Sequence, residues 1–328
     1  MNIKKVVLLT GFAGFIGSQI LKDLLYKGYK VIGVDNFSEG SDVNNFKDTS
    51  NFDYDFTYIK QNIEDLTKQE VLDMLGDVQC SHLDYIISCA AASHVDRCYD
   101  QIDKFISSNI NGPINLAKIA LELKVEKFVH VSTDEIWAES QQPFTEETPI
   151  KTGNAYASSK ASAELFLHNY CKAFGLPLVI TCGANTYGPN QAIEKVIPKS
   201  IYNIVNGIKI PLYKTRARRM WLHVSDHSSG VILAMENGVI GEKYCLAPEP
   251  ENELYTDDLV RQICVICGVS FDNVVEFVPD RPNYDLRYWM LNTKAKEGLG
   301  WKPSKSIEKE LPSIVQWYHQ KFQKETNV

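Results

Sequence analysis

The apolar run Lys5-Val-Val-Leu-Leu-Thr10 leads directly into Gly11-Phe-Ala-Gly14-Phe-Ile-Gly17, which opens a stretch with helical periodicity. Glycines at this spacing between a strand and a helix allow a tight turn, close backbone approach to a pyrophosphate and close helix–strand packing. The form is G-x-x-G-x-x-G rather than G-x-G-x-x-G, and alone it also suits a mere tight connection. Asp35 ends the second apolar run, Lys30-Val-Ile-Gly-Val-Asp35, eighteen positions after Gly17. A carboxylate there accepts both ribose hydroxyls of NAD and repels the extra phosphate of NADP. Its bland alternative is the start of the turn into Asn36-Phe37. Taken together, glycines and aspartate predict a dinucleotide site that favours NAD over NADP.

The runs KVVLL, KVIGV, FTYIK, YIIS, FVHVS and LVIT read as buried strands. Candidate helices at about 14–27, 64–75, 100–123 and 154–174 separate them, with a kink or break expected at Pro113. This alternation predicts an α/β fold: a Rossmann-type doubly wound parallel sheet. After about residue 180 the pattern turns irregular, punctuated by Pro189, Pro198, Pro211, Pro248, Pro250, Pro279 and Pro282. That half is expected to form a smaller C-terminal substrate-binding domain. The expected division is 1–180 for the dinucleotide, with a returning segment at about 222–248, and 181–221 plus 249–328 for substrate. The tail Lys324–Val328 is expected to fray.

With 328 residues, the chain can bury a full core. A net charge of −7 and a pI near 5.6 argue against partners such as nucleic acid or an acidic membrane surface. No uninterrupted apolar stretch approaches the roughly 18 residues that would suggest a membrane span. The start MNIKKVVLLTGFAGFIG offers a basic segment before an apolar one, but its regular glycines fit the dinucleotide turn better than a leader. A cytoplasmic location follows as the expectation. Eight cysteines show no disulfide framework, and Cys264-x-x-Cys267 lacks a second pair to complete a metal site. Packing on a helix is the reading for that pair, and no metal is expected.

Two further signals carry chemistry. Tyr156-Ala-Ser-Ser-Lys160 places a phenol and an ammonium on one helical face. A lysine close to a tyrosine draws the phenol pKa down from about 10 and makes it a general base. Alone, such a pair is also common surface decoration. The run FVHVS ends in Ser132-Thr133-Asp134-Glu135, at the sheet edge where ligands bind in open α/β folds. Thr133 can hydrogen-bond a reacting oxygen, and two adjacent carboxylates can be tuned to acid and base roles. Neighbouring side chains of a strand face opposite ways, so both serve one substrate only if the backbone leaves the strand near residue 133. A solvated turn remains the alternative for this pair alone.

On these residues the chain resembles the extended short-chain dehydrogenase/reductase family, and within it the NDP-sugar 4,6-dehydratases acting on dTDP-glucose and UDP-glucose. The likeness runs through TGFAGFIGS, VDN, AAASHVDR, SNINGP, VSTDEIW, AYASSKASAE, NTYGPNQAIEKVIPK, RRMWLHVSDH, PDRPNYDLRY and LGWKP. It implies a cycle without net redox. Tyr156 removes the O4 proton while C4 gives a hydride to NAD. Glu135 removes the C5 proton, protonated Asp134 donates to the departing C6 hydroxyl, and the hydride returns to C6. Tight retention of NAD follows.

The same resemblance implies cofactor contacts from Gly11, Phe12, Gly14, Phe15, Ile16 and Gly17. Asp35, Asn36, Asn62, Ile63, Ala90, Tyr156 and Lys160 complete that set. Substrate contacts are implied for Ser93, His94, Asn185, Glu194, Lys195, Pro211, Tyr213, Arg219 and Arg281, with Asn185 and both arginines on the diphosphate. GPNQ…EKVIPK looks more like the UDP-glucose enzymes, so a UDP-sugar is the expected substrate. Homodimerisation through the helix of Tyr156 is also implied, with Leu165, Phe166 and Tyr170 serving either interface or core.

Departures from the family pattern matter. Ala92 replaces a Glu or Gln, Trp137-Ala138 replaces Tyr-Gly, Met220 replaces an aspartate, and Asn62 stands for an aspartate that meets adenine. A short residue at 92 suggests room for a 2-acetamido group, so UDP-GlcNAc stands beside UDP-glucose, with the sugar choice expected to lie at Ala92 and Trp137. Epimerisation at C5 is left open. The rivals are a UDP-sugar 4-epimerase, which leaves C6 untouched, and a non-catalytic NAD-binding protein.

Overall fold

The structure is a computed structural model, and it describes residues 4–38, 40–52, 55–281 and 283–326. Pro282 and the end of the tail, Asn327 and Val328, lie outside the described residues. Strands β1 (Val6–Thr10), β2 (Lys30–Asp35), β3 (Phe56–Lys60), β4 (Tyr85–Ser88), β5 (Lys127–Thr133) and β6 (Leu178–Gly183) alternate with helices α1 (Phe15–Tyr26), α2 (Lys68–Asp77), α3 (Ile102–Ile106), α4 (Gly112–Leu123) and α5 (Ala155–Phe174). Beyond β6 come β7 (Asn185–Tyr187), α6 (Val196–Val205), β8 (Ile210–Tyr213), β9 (Arg218–His223), α7 (Val224–Asn237) and β10 (Lys243–Leu246). The chain ends with β11 (Glu253–Tyr255), α8 (Thr256–Ile266), α9 (Phe271–Val274), β12 (Val275–Val278), β13 (Arg287–Tyr288), α10 (Thr293–Leu299) and α11 (Ile307–Thr326).

Seven strands form one parallel sheet in the order β10-β6-β5-β4-β1-β2-β3. Order reverses on either side of β1, so the carboxyl ends of β1 and β4 diverge into a crevice. After β9 the chain supplies the helix α7, which packs on α1, and the edge strand β10. Central strands are buried on both faces, as their unbroken apolar runs require. FTYIK is the exception: β3 lies at the sheet edge and is only partly buried, because among the described residues no strand pairs with its outer side.

Two helices differ from their expected limits. A capping box between Thr67 and Glu70 starts α2 at Lys68, leaving residues 64–66 outside it. The expected break at Pro113 is instead a π turn over Ser107–Asn111, with Pro113 seated in the first turn of α4 where its missing N–H costs nothing. The tail also departs from expectation, since α11 continues helical through Thr326.

The second half builds a smaller core around Tyr187, Ile197, Trp221, Ile263 and Tyr318. Tyr318 donates to Gly188 O at 2.9 Å and accepts from Gln191 N–H at 2.8 Å. That clamp fixes the loop leading to Glu194 and Lys195. Cys264 is buried on α8 and Cys267 caps its end, both as free thiols. Among the described residues no helix is long and apolar enough to cross a membrane.

Candidate active site

A cavity of about 530 Å³ opens at the carboxyl edge of the parallel sheet. The glycine loop forms its floor. Gly11 has φ +71°, and a Cβ there would come 2.8 Å from the Ala90 backbone. A Cβ on Gly17 would stand 2.0 Å from Gly11 O, so only glycine permits this crossing. Thr10 Oγ1 accepts from the N–H groups of Cys89 and Ala90 at 3.1 and 3.2 Å, tying the loop after β4 to the glycine turn. Gly14 precedes α1 without a side-chain cap, and the first turn holds no acidic residue. Its free N–H groups are thus left for an anion.

Asp35 accepts from Ala13 N–H at 3.0 Å, Phe37 N–H at 2.8 Å and Ser41 Oγ at 3.3 Å. Burial nevertheless pushes its carboxyl up. Asn62 Oδ1 accepts from Asn36 Nδ2 at 3.0 Å, so one of its two acceptor positions is already used. Phe15, Ile16, Ile63 and Ala90 line the cavity. Phe12 does not: its ring is fully buried among Phe37, Phe46, Phe56 and Tyr58, where the missing side chain of Gly33 makes room.

At the end of β5 the backbone turns where the two carboxylates require it. Thr133 is still extended, and its hydroxyl accepts from Glu135 N–H at 3.3 Å to cap the 3-10 turn Asp134–Trp137. Burial pushes the Asp134 carboxyl up to about 7, the charge of Glu135 adds to this, and Arg219 acts the other way. Glu135 accepts from Asn154 Nδ2 at 3.1 Å, while Asn154 caps α5 through Ala157 N–H.

Tyr156 and Lys160 follow on the buried face of α5 and line the same cavity. The structure does not show the expected lowering of the phenol by Lys160. Burial pushes Tyr156 up, Glu135 adds to this, and a hydrogen bond with Thr133 opposes it. Lys160 faces elsewhere, with Nζ donating to Val131 O at 2.8 Å and lying 3.4 Å from His130 Nε2. Its own pKa falls to about 8 through burial.

A second cavity of about 390 Å³ is lined by His94, Pro211, Tyr213, Arg219 and Arg281, and shares Asn185, Glu194 and Lys195 with the first. Ser93 lines the first cavity, where Lys195 Nζ donates to its carbonyl at 3.2 Å. Arg219 is held by the carbonyls of Arg218 and Asp285, each at 2.7 Å, and stacks over Tyr288.

Three departures are resolved by position. Ala92 lines the first cavity and packs on the cluster of Cys98, Phe105 and Tyr156. Trp137, by contrast, is core: its ring meets Phe144 and its Nε1 donates to Thr148 O at 2.8 Å, so it lines neither cavity. Met220 is buried, and its Sδ accepts from Met290 N–H at 3.3 Å. Sequence reasoning passed over Tyr284, His227 and Thr186. Tyr284 stood inside a quoted motif three residues after Arg281, and it meets Tyr213 edge-on in the second cavity.

Parallel sheet, glycine turn and Tyr-x-x-x-Lys helix together define an extended short-chain dehydrogenase/reductase. The chain belongs to the family described as GDP-mannose 4,6-dehydratase, whose profile matches residues 8–313. A dTDP-glucose 4,6-dehydratase of Streptomyces niveus is 33% identical over 95% of this chain and 92% of its own. The solved dTDP-glucose 4,6-dehydratase of Streptomyces venezuelae, with NAD bound, superposes with a TM-score of 0.88 at 32% identity over 96% and 97% of the two chains. The UDP-glucose 4-epimerase of Thermotoga maritima shares the fold at TM-score 0.85 and 26% identity, over 96% and 99%.

Proposed function

We propose that the chain is an NAD-dependent 4,6-dehydratase that converts a nucleotide-activated hexose to its 4-keto-6-deoxy form. The observation that carries this reading is the turn at Thr133. It sets a buried Asp134 and a separately bonded Glu135 on one cavity with Tyr156 and Lys160. The crossing at Gly11 and Gly17 fits a pyrophosphate, and Asp35 fits a ribose.

Tyr156 takes the O4 proton as C4 is oxidised, with Thr133 orienting that oxygen. Glu135 removes the C5 proton that the new ketone acidifies. Asp134 gives its proton to the departing C6 hydroxyl, which leaves as water. Bound NAD supplies two-electron chemistry returned within each turnover, and a positive charge that offsets the carboxylates around Tyr156.

The finer reading is a UDP-hexose, UDP-GlcNAc or UDP-glucose, supported by the GPNQ…EKVIPK segment and the short side chain at Ala92. We assign residues 1–180 with 222–248 to the cofactor, and 181–221 with 249–328 to the nucleotide sugar. Dimerisation through α5 is supported by Leu165 and Phe166, which are 56% and 48% exposed, whereas Tyr170 packs against the core. A cytoplasmic location suits the free cysteines.

Purified protein given UDP-GlcNAc, UDP-glucose or dTDP-glucose without added NAD tests the reading. A product lighter by one water, with a C4 ketone by NMR, is expected, and its C5 configuration reports any epimerisation. An unchanged mass with inverted C4 would replace the reading with a 4-epimerase. Retained NAD without turnover of any sugar would leave a binding protein.

A further inference from the structure

We propose that His227 accepts a hydrogen bond from the nicotinamide carboxamide and so fixes which way round that ring lies. The inference rests on the NAD reading above and concerns a residue that the reaction scheme does not use.

His227 projects from α7 and is 2% exposed. Its imidazole lies flat against Gly183: a Cβ at that position would come 2.3 Å from its Cε1 and 2.6 Å from its Nε2. Gly183 ends β6 in register with Thr133 on β5. The ring therefore lines the reacting end of the first cavity, away from the end formed by Asp35 and Asn62.

Its tautomer follows from one neighbour. The Thr186 hydroxyl donates to Ala184 O at 3.0 Å and lies 2.8 Å from His227 Nδ1. A hydroxyl has one proton and a carbonyl can only accept, so both contacts are hydrogen bonds together only when Thr186 gives its proton to Ala184 O. Thr186 Oγ1 must therefore accept from Nδ1–H, which leaves Nε2 as a bare acceptor. That atom is buried and has no hydrogen-bond partner among the described residues. Burial also lowers the ring to about 4, so it stays neutral at physiological pH.

A buried acceptor without a donor is costly, and a ligand that brings a donor gains by satisfying it. Along a dinucleotide the donors are the adenine amine, the ribose hydroxyls and the carboxamide NH2. The first belongs at the Asn62 end, and the hydroxyls toward Asp35 and Lys160. The carboxamide is the donor left for the end where Gly183 and Thr133 meet.

The test is an exchange competition on the holoenzyme. Protein is equilibrated with equal excesses of NAD and its 3-acetylpyridine analogue, in which a methyl replaces the amide NH2. It is then desalted, and the bound dinucleotides are quantified. Wild type should retain NAD over the analogue by about tenfold, the value of one buried hydrogen bond. In His227→Phe the two should be held about equally. Should that variant not fold, Thr186→Val carries the test, because either tautomer then becomes accessible and the ketone is received as well as the amide. A preference for NAD that is the same in wild type and variant would overturn the proposal. Wild type that holds neither dinucleotide would overturn the NAD reading instead.

Discussion

Asp134 Oδ2 is buried without a hydrogen-bond partner among the described residues, whereas the adjacent Glu135 accepts a hydrogen bond from Asn154 at 3.1 Å. The 3-10 turn that begins at Thr133 causes this difference. It sends one carboxyl into the interior below the strand end and turns the next toward the start of α5. Two carboxylates separated by environment in this way are matched to acid and base work at one site.

The raised pKa of Asp134 has a consequence for stability. A carboxyl whose folded pKa is raised stabilises the fold while protonated. That contribution is complete below the ordinary value near 4 and is lost as pH rises through about 7. Asp134→Asn is neutral throughout, so it should gain on wild type between pH 4 and 8 by an amount on the order of 4 kcal/mol. Thermal melts of both proteins across that range measure the difference, and parallel curves would refute the assignment. Glu135→Gln removes a repelling charge and should shift the midpoint of the wild-type fall to lower pH.

Tyr156 and Glu135 act at different carbons, which allows their loss to be told apart. Tyr156→Phe should lower turnover by about 10²–10⁴-fold and remove solvent exchange at C5 as well, because no ketone forms. Glu135→Gln should keep C4 oxidation in a single turnover while deuterium ceases to enter C5. Deuterium exchange by NMR and stopped-flow absorbance provide the two readings.

The sheet, the glycine turn and the exit from β5 were legible because each depends on local rules. Strand periodicity, glycine sterics and the opposed faces of neighbouring strand residues all act within a few positions. Phe12, Trp137 and the Tyr156–Lys160 pair were misread for the opposite reason. Phe12 is drawn into an aromatic cluster by residues up to Tyr58, and Trp137 by Phe144 and Thr148. Four-residue spacing puts Tyr156 and Lys160 on one helical face. It cannot say that Val131 O and His130 hold the ammonium or that burial governs the phenol. His227 closes the run RRMWLHVSDH, but nothing in that run marks its role, because its significance arises from Gly183, more than forty positions away.

Ala138 takes the place where the family pattern has glycine, and it does so with φ +52° and ψ −142°. That region is costly for any residue with a Cβ, at about 1–3 kcal/mol. Ala138→Gly removes the clash and adds some freedom to the unfolded chain, so the net gain should be about 1 kcal/mol. A rise in Tm of about 2 °C is expected for a chain of this size, with turnover unchanged. An unchanged or lower Tm would mean that the surrounding turn relaxes the alanine without strain.

Position 92 should govern the choice of sugar, and position 137 should not. Asn109 holds the backbone of Ala92 from both sides, accepting from its N–H at 2.7 Å and donating to its carbonyl at 2.9 Å. A longer side chain there cannot escape by moving the backbone, and it must enter the space beside Tyr156. Ala92→Gln should therefore lower kcat/KM for UDP-GlcNAc relative to UDP-glucose by at least about tenfold, the scale of one misfitting group in a pocket. Trp137→Phe should cost stability through lost packing and the bond to Thr148 O, yet leave that ratio where it was. If both variants shift the ratio alike, discrimination arises from general loosening of the site. If neither does, the 2-acetamido group is read elsewhere in the cavity.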